Sequence, residues 1–417
     1  MSKASHRRVA VTGIGLVNPF GGDVDDFFAR IMRGESAAAL YRHPTSLFDL
    51  VQPAVRCASF SSEQSIGRPL SSVTDRYSQL GLAAAFSAWN DAGLSRAGNS
   101  SENYGVSWGT GAGGALTYEK GYTDLFQHGK RRMSPMSVAM VMNNAAASNI
   151  AIALGLGGAC LSYSVACASS AISIGEAYRR VQSGDATLVV AGGSEAPLTL
   201  SIMLAWDAMR VVAECDEETA FRACRPFQVG RTGLVLGEGG ASMVLEDWDH
   251  AVARGARIYC ELVGYGQSCD HTHLVRPDAN GQVKAINAAM CEAGLSPEDI
   301  GYVNAHGTAT QEGDSIEINA LKVAFGDAAT ELHVSSTKSM HGHMLGAAGA
   351  MEAVITVLAL ARQEIPPTAH LHEVSEDCQG VRHVMGSGLR DVSFRAAISN
   401  SFAFGGSNAV LAFRQAR

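Results

Sequence analysis

Short apolar strands alternate with helical segments along the whole chain, and this alternation constrains the fold more than any other feature of the sequence. Residues 186–191 are continuously apolar, a pattern typical of a strand that is buried on both faces. Residues 302–305 are predicted to form another strand, and the helical pattern at 316–325 follows it. Strands and helices in alternation indicate mainly parallel sheets covered by helices. The sequence therefore predicts an α/β protein.

The length and composition predict two halves packed into one body. The chain has 417 residues, of which 47% are apolar and 17% charged. It is long enough for two or three units of about 150 residues. A first strand-rich part ends near residue 253, and the pattern of strands and helices restarts at Arg257. No linker rich in proline or serine separates the parts, so we expect one half at 1–253 and a second at 254–417.

Charge, hydropathy and cysteine spacing argue against several classes of protein. The net charge is −8, which is unfavourable for a nucleic-acid-binding surface. No run approaches the ~20 apolar residues of a membrane span. The N-terminus shows no apolar segment or cleavage site of a signal peptide, which favours the cytoplasm. The nine cysteines include no CxxC pair, so neither a disulfide framework nor a zinc site is expected.

One of these cysteines, Cys167, lies where a nucleophile would be expected. It follows an apolar run at 159–165 and precedes small residues at helical spacing at 168–177, so it marks a strand-to-helix turn. The N-terminus of the helix is expected to lower the pKa of its thiol. A free cysteine alone is weak evidence, because cysteine is among the most buried residue types. Two glycine-rich segments that carry His306 and His343 strengthen the case, since α/β folds expose functional groups at the carboxyl ends of strands.

Two further patterns are typical of cofactor or metal binding, and both are disfavoured. Residues 109–114 read GTGAGG, which satisfies the dinucleotide-binding pattern GxGxxG, but residues 115–118 are not expected to open a strong helix. His341 and His343 resemble a metal-binding pair, yet residues two apart point in opposite directions on regular elements. No further Cys or His pair stands at ligand spacing, so we expect no metal and no cofactor.

Several long motifs occur together in an order that is specific to one family. They are VACASS around Cys167, VVAGGSE at 189–195, NAHGTATQEGD at 304–314, SSTKSMHGHMLGAAGAMEA at 335–353 and SNSFAFGGSN at 399–408. With them the chain resembles the elongating β-ketoacyl-acyl-carrier-protein synthases, which are decarboxylating condensing enzymes of the thiolase superfamily. The resemblance covers nearly the whole chain. It implies a thiolase-like fold, in which two similar βα halves pack as layers in the order α-β-α-β-α.

The resemblance also implies roles for individual residues. The catalytic residues that it implies are the nucleophile Cys167 and the groups His306, His343 and Lys338, with His341 as a bystander. The supporting residues that it implies are Glu352 as the partner of Lys338, the acidic pair Asp314 and Glu317, and the aromatic residues Phe402 and Phe404. Phe402 is expected to act as a gate and to provide, with Cys167, the backbone N–H groups that hold the thioester oxyanion.

The reaction implied by the resemblance is a decarboxylative condensation. An acyl group moves from a carrier protein to Cys167, malonyl-carrier protein loses CO₂ beside the two histidines, and the carbanion attacks the acyl group to release a 3-oxoacyl product. The implied partners are acyl carrier protein and a second subunit, in a homodimer or a heterodimer. The candidate docking residues for the acidic carrier protein are Lys130, Arg131 and Arg132, or else Arg210 and Arg222.

Departures from the family pattern concern the acyl pocket and the pathway. Side chains that are smaller than the family usually has predict a roomy acyl tunnel at Ala112, Met136 and Ser137, and the segment 224–234 also differs. Fatty-acid elongation and a type II polyketide or polyene pathway both stay open. Two other functions are alternatives: a non-catalytic, chain-length-factor-like dimer partner, which the intact Cys167 argues against, and a nicotinamide oxidoreductase, which rests on GTGAGG alone.

Overall fold

The computed structural model describes residues 6–44, 48–95 and 102–416. Its strands are β1 (Val9–Val17), β2 (Ala39–Pro44), β3 (Asp49–Val55), β4 (Tyr104–Gly109), β5 (Cys160–Tyr163), β6 (Leu188–Glu195), β7 (Leu236–Gly237), β8 (Gly239–Asp247), β9 (Cys260–Cys269), β10 (Ile300–Asn304), β11 (His333–Ser335), β12 (Arg382–His383), β13 (Ala396–Phe402) and β14 (Ser407–Gln415). Its α-helices are α1 (Val24–Met32), α2 (Ser62–Ile66), α3 (Arg68–Ser71), α4 (Arg76–Asp91), α5 (Ala115–Phe126), α6 (Ser137–Val141), α7 (Ala145–Leu154), α8 (Ser169–Ser183), α9 (Leu200–Ala208), α10 (Trp248–Ala253), α11 (Ala279–Ala293), α12 (Gln311–Phe325), α13 (Lys338–His341) and α14 (Ala348–Arg362).

Eleven strands form one sheet in the order β12-β11-β10-β13-β14-β9-β1-β8-β6-β4-β5, and β2, β3 and β7 form a small second sheet. In the first half of the chain, β1, β8, β6, β4 and β5 are joined by two antiparallel and then two parallel pairings. In the second half, β9, β14, β13, β10 and β11 follow the same order with the same orientations. Each half therefore places its first strand beside its last. This repeat confirms the prediction of two similar βα halves.

The two halves meet in the sheet and around a pair of central helices. Residues 9–11 of β1 pair antiparallel with residues 260–262 of β9. The helices α8 and α14 contact each other and strands of both halves, while α4 and α7 cover the first half and α11 and α12 cover the second. The segment Leu345–Arg362, which includes α14, is long and apolar enough to cross a membrane, but 89% of it is buried inside the protein. Such burial is that of a core helix in a soluble protein.

The contact between the central helices depends on small residues. A Cβ atom added to Gly349 would lie 2.8 Å from the Cβ of Ala171, which is closer than packed carbon atoms approach each other. Beside this contact, the N–H of Ala350 donates to the Oγ of Ser170 at 2.9 Å. Because α8 follows the candidate nucleophile and α14 follows the second candidate histidine, this close packing fixes how far apart those two side chains lie.

The segment after GTGAGG differs from its prediction, since α5 begins there, at Ala115. The reason is a contact from a distant part of the chain. Asp75, the N-cap residue of α4, accepts hydrogen bonds from the N–H of Thr117 at 2.8 Å and from its Oγ1 at 2.6 Å. A carboxylate that satisfies amides in the first turn stabilises a helix whose local propensity is weak.

Candidate active site

Cys167 lies on a tight turn between β5 and α8. The preceding residue, Ala166, has a φ of +43°, which is uncommon for a residue with a side chain and is typical of functional sites held by their surroundings. The side chain of Ser169 holds this turn, because its Oγ accepts the N–H of Val165 at 2.8 Å and donates to the carbonyl of Ala166 at 2.7 Å. The thiol therefore lies at the N-terminus of a 15-residue helix, as predicted from the strand-to-helix pattern.

Both predicted histidines meet this cysteine, although they belong to the other half of the chain. The Nε2 atom of His343 lies 3.1 Å from the Sγ of Cys167. The rings of His306 and His343 are 5.5 Å apart between centroids and nearly perpendicular, at 86°. All three side chains are buried. The structure thus brings a thiol and two imidazoles into one enclosed site.

Two acidic residues of α12 hold the loop that carries His306. The carboxylate of Glu317 accepts the backbone N–H of His306 at 2.9 Å and that of Gly307 at 2.7 Å. The carboxylate of Asp314 accepts the N–H of Ala309 at 3.1 Å and that of Phe227 at 2.8 Å. Neither side chain points at the thiol, so Asp314 and Glu317 position the histidine.

Lys338 is fully buried and contacts His306 at Nδ1. Its Nζ donates to the carbonyl of His306 at 2.6 Å and lies 3.3 Å from the Nδ1 of the same residue. It also forms a very short ion pair with Glu352, which is buried as well. Because an ammonium group donates only, Nδ1 of His306 accepts, and the proton of this imidazole stays on Nε2. Lys338 therefore acts through His306 and does not reach the nucleophile.

Burial controls the protonation of the whole site. It lowers the pKa of His306 and of His343 well below the usual 6.5, and the Lys338 ammonium lowers both further. Burial also raises the pKa of the Cys167 thiol to about 12, with Lys338 and a backbone N–H of Phe404 opposing this rise. The prediction of a lowered thiol pKa is thus wrong, because desolvation of the thiolate outweighs the favourable dipoles. The resting site holds a neutral thiol beside two neutral imidazoles.

The backbone donor that faces the thiol differs from the predicted one by two residues. Phe404, and not Phe402, provides the N–H that favours the thiolate of Cys167. The ring of Phe402 is buried and packs against His306, with 6.2 Å between centroids. Phe404 lies in the turn between β13 and β14, where its ring stacks on Trp206 at 5.6 Å and 20°. Because Phe404 lies in a turn, its backbone N–H is not used in strand pairing and can face the thiol, whereas Phe402 belongs to β13.

Two cavities meet at the nucleophile. An entrance cavity of about 460 Å³ is lined by polar residues such as Thr308 and Thr310 and reaches both histidines. A second cavity of about 270 Å³, called the inner cavity because it lies on the other side of Cys167 from the two histidines, is lined by Gly111, Ala112, Ala166, Ile202, Ala205, Trp206, Leu345 and Phe404. It is partly open in the single chain, since Ala205 in its wall is exposed. Ala112 therefore lines the cavity beyond Cys167, where it was predicted. Met136 and Ser137 do not line it within one chain, because Met136 is largely exposed and Ser137 starts α6 outside the cavity wall.

The GTGAGG loop binds a carboxylate of the protein itself. Glu195, at the end of β6, accepts the N–H of Gly111 at 2.5 Å, the N–H of Ala112 at 3.1 Å and the hydroxyl of Thr110 at 3.0 Å. It also accepts the N–H of Gly346, three residues after His343, at 3.0 Å. These amides are therefore unavailable to a phosphate. Glu195 was not predicted as a site residue, although an acidic residue at the end of a buried strand was a signal in VVAGGSE.

Cys167, His306 and His343 have donor atoms within 4.8 Å of one another, and among the described residues they are the group that could hold a metal. Zinc binds such donors. However, binding would require the thiol to lose a proton against its raised pKa, next to the ammonium of Lys338. His341 takes no part, because its ring contacts the Oγ1 of Thr337 and the carbonyl of Gly342. The site is thus better suited to a thioester than to a cation.

The candidate docking residues lie in two separate places. Lys130 is exposed and pairs with Asp124 at 2.7 Å, and Arg131 and Arg132 are exposed beside it. Arg210, the alternative, lines the entrance cavity that leads to Cys167, whereas Arg222 is exposed and does not line it.

Comparisons with known proteins agree with this site. The profile of the β-ketoacyl synthase N-terminal domain matches residues 6–251, and that of the β-ketoacyl synthase C-terminal domain matches residues 259–372. The chain is 39% identical over 416 residues to 3-oxoacyl-[acyl-carrier-protein] synthase 2 of Staphylococcus aureus strain N315, and the match covers 99% of each chain.

Solved structures share the fold over the full length. The ishigamide ketosynthase/chain length factor is 29% identical with a TM-score of 0.90, and the match covers 99% of this chain and all of that one. AntDE:AntF, described as a type II acyl-carrier protein in complex with its ketosynthase, matches with a TM-score of 0.89 at 29% identity and the same coverage. These matches confirm the predicted thiolase-like fold. On its sequence, its fold and the thiol–imidazole site at its centre, the chain belongs to the β-ketoacyl synthase family.

Proposed function

We propose that the protein is a 3-oxoacyl-carrier-protein synthase, which extends an acyl chain held on Cys167 by decarboxylative condensation with malonyl-carrier protein. The observation that carries this proposal is the meeting of Cys167 with His343 at 3.1 Å, at the junction of the two cavities. The entrance cavity, of about 460 Å³, would take the prosthetic arm of a carrier protein, and the inner cavity, lined mainly by apolar residues, would hold an acyl chain. The residues of this chain carry the reaction without a cofactor.

In the first half-reaction, the thiol of Cys167 attacks the carbonyl carbon of the acyl thioester. Its proton passes to Nε2 of His343 as the sulfur–carbon bond forms, since a neutral imidazole at 3.1 Å is a suitable acceptor. The oxyanion that develops is held by the backbone N–H groups of Cys167 and Phe404. The carbon–sulfur bond to the carrier protein then breaks, and the departing sulfur takes the proton.

In the second half-reaction, Nε2 of each imidazole donates a hydrogen bond to the thioester carbonyl of malonyl-carrier protein. For His343 this requires the tautomer with the proton on Nε2, so its ring exchanges protons with solvent in the entrance cavity after Nε2 has returned the thiol proton. The bond to the carboxylate breaks, CO₂ leaves, and its electron pair forms an enolate at that carbonyl. The enolate carbon attacks the acyl group on Cys167 and expels the thiolate, which takes up a proton from solvent to restore the neutral thiol. The hydrogen bond from Lys338 to Nδ1 of His306 keeps the donor proton on the Nε2 atom that faces the substrate.

Two faces of the protein are suited to protein partners. AntDE:AntF pairs a ketosynthase with an acyl-carrier protein, and we propose the same partner here. Carrier proteins are acidic, so either the patch of Lys130, Arg131 and Arg132 or Arg210 at the cavity mouth would dock them. The patch is the site that the sequence favours, and Arg210 is the one closer to the nucleophile.

A second face is suited to a second ketosynthase-like subunit. Among the described residues, strand β5 ends the large sheet and has a neighbouring strand on one side only, and sheet edges of this kind attract further strands. Next to it along the chain, large apolar side chains are exposed, namely Tyr122, Phe126, Met136, Val138 and Ile152. Exposed apolar surfaces of this extent mark interfaces. We therefore propose a dimer through this face, which would also bring Met136 and Ser137 near the partner's pocket.

Location, organisation and pathway complete the proposal. The protein would act in the cytoplasm, with functional halves at 1–253 and 254–417 that each supply part of the site. Both fatty-acid elongation and a type II polyketide or polyene pathway are compatible with this chemistry. The small side chain of Ala112 in the inner cavity favours long or stiff chains.

Removing the nucleophile tests the proposed function. Cys167→Ala should abolish transfer of an acyl group from acyl-carrier protein to the enzyme, because the acceptor sulfur is gone. Intact-protein and peptide mass spectrometry should find one adduct on wild type, at Cys167. The exposed thiol of Cys160 is the internal control, and acylation there with Cys167 unmodified would contradict the proposal.

Alanine substitutions of His343 and of the nearby His341 should affect decarboxylation differently. His343→Ala should reduce decarboxylation of malonyl-carrier protein by about 10²–10³, the usual contribution of a donor to a developing oxyanion. His341→Ala should retain most of the activity, because its ring is bonded to Thr337 and Gly342. The measurement is CO₂ release by both variants. An equal loss of decarboxylation in the two variants would contradict the assignment of His343 as the hydrogen-bond donor.

Charge reversal should locate the carrier-protein surface. Changing Lys130, Arg131 and Arg132 together to Glu should raise KM for acyl-carrier protein about tenfold, since exposed ion pairs contribute ~0.2–1 kcal/mol each. Small thioester analogues should be used almost equally well, and the wild-type advantage should shrink in high salt. Lys284→Glu, an exposed change on α11, is the control. An unchanged KM in the triple variant would move the docking site to Arg210.

Filling the inner cavity should shorten the chains that the enzyme accepts. Ala112→Phe adds a ring to the wall of this cavity, and overpacking costs about 1–3 kcal/mol, which corresponds to a loss of roughly tenfold to a hundredfold in rate. Long acyl-carrier proteins should suffer this loss and short ones much less, whereas Ala112→Ser should behave as wild type across the series. A uniform loss at all lengths would mean that residue 112 does not face the chain.

The proposed dimer face can be tested by sedimentation equilibrium. The wild-type protein should have the mass of two chains, alone or after coexpression with a related subunit. Tyr122→Glu together with Phe126→Glu places two charges in the exposed apolar face of α5, and this change should shift the mass toward one chain. A wild-type protein that stays a monomer under both conditions would rule out the interface.

A further inference from the structure

The walls of the two cavities share a pair of stacked aromatic rings. Trp206 on α9 and Phe404 in the β13–β14 turn lie 5.6 Å apart with only 20° between their planes. Both rings line the entrance cavity and the inner cavity, and Cys167 is the one other described residue that lines both. An acyl group on the sulfur therefore passes beside these rings when it enters the inner cavity.

The rest of the inner cavity is built of small side chains. Gly111, Ala112, Ala166 and Ala205 contribute little more than backbone to its wall, and the larger aliphatic contacts come from Ile202 and Leu345. Trp206 is the largest group present. Because the other lining side chains are small or aliphatic, the flat aromatic surface is the main contact that this cavity offers to a bound chain.

Flat surfaces of this kind distinguish two classes of acyl chain. A conjugated chain or an aromatic acyl group is planar and can lie in offset contact along an indole ring, an arrangement that contributes beyond the area it buries. A saturated chain is puckered and touches the same ring through single CH₂ groups, so it gains only dispersion contacts.

We propose that Trp206 is a specificity-determining residue, which makes the inner cavity selective for planar, conjugated acyl chains over saturated chains of the same length. This inference rests on the function proposed above and names its substrate class. Phe404 links the selection to the chemistry, because its ring completes the stacked pair while its N–H faces the sulfur.

The test compares two six-carbon pantetheine thioesters, hexanoyl and 2,4-hexadienoyl, as donors to Cys167. Loading rates are measured by intact-protein mass spectrometry and divided by the rates with a small free thiol, which removes the difference in intrinsic reactivity. Aromatic stacking predicts a normalised preference for the dienoyl donor of about two- to tenfold in wild type. Equal normalised rates in wild type would overturn the proposal, and this comparison needs no variant.

Variants assign the preference to the indole ring. Trp206→Leu should bring the normalised ratio close to one, and Trp206→Phe should restore part of it, which loss of packing alone would not do. Trp248→Phe is the matched control, because Trp248 lies under Arg8 and lines neither cavity. An unchanged ratio in Trp206→Leu would overturn the proposal. Failure of both donors to load wild type would instead contradict the proposed function itself.

Discussion

The buried carboxylate of Glu195 is the interaction on which the site depends. It belongs to the first half, yet it accepts amides from both halves, at Gly111 and Ala112 on one side and at Gly346 on the other. Burial raises its pKa, and those N–H donors oppose the rise. The same contact orders the wall of the inner cavity and ties it to the loop that carries His343. The 3.1 Å approach of a cysteine and a histidine from different halves follows from this junction.

Burial determines the protonation state of the two histidines. An exposed imidazole would be partly protonated near neutral pH, but desolvation and the ammonium of Lys338 keep His306 and His343 neutral. In the proposed reaction, a neutral imidazole accepts the thiol proton in one tautomer and donates to the developing enolate in the other, so the same residues would serve both half-reactions. The ion pair with Glu352 holds the positive charge of Lys338 close to the two histidines, where it contacts neither the thiol nor the substrate.

Sequence reasoning predicted the parts of this account that depend on motifs in a fixed order. The two similar halves and the meeting of Cys167 with the two histidines follow from such motifs. The helix α5 could not be predicted, because its first turn is stabilised by Asp75 from another helix. The thiol pKa was predicted in the wrong direction, since the helix position is visible in a sequence but the degree of desolvation is not.

Contacts between distant segments explain the remaining gaps. Whether Phe402 or Phe404 supplies the backbone donor depends on where β13 ends and the turn begins, and a sequence motif alone does not determine this position. The stacking of Trp206 on Phe404 requires α9 to pack beside that turn, which is a contact between distant segments. Met136 and Ser137 were assigned to a pocket that a single chain builds without them.

The central claim, that two neutral imidazoles lie beside a buried ammonium, is tested most directly by NMR of the histidine rings. With labelled histidine, and assignment by the His306→Ala and His343→Ala variants, the ring ¹⁵N shifts are followed from pH 8 to pH 5.5. We expect both rings to stay neutral throughout, because a lowered pKa moves protonation below the ordinary value near 6.5. A titration midpoint near 6.5 for either ring would contradict it.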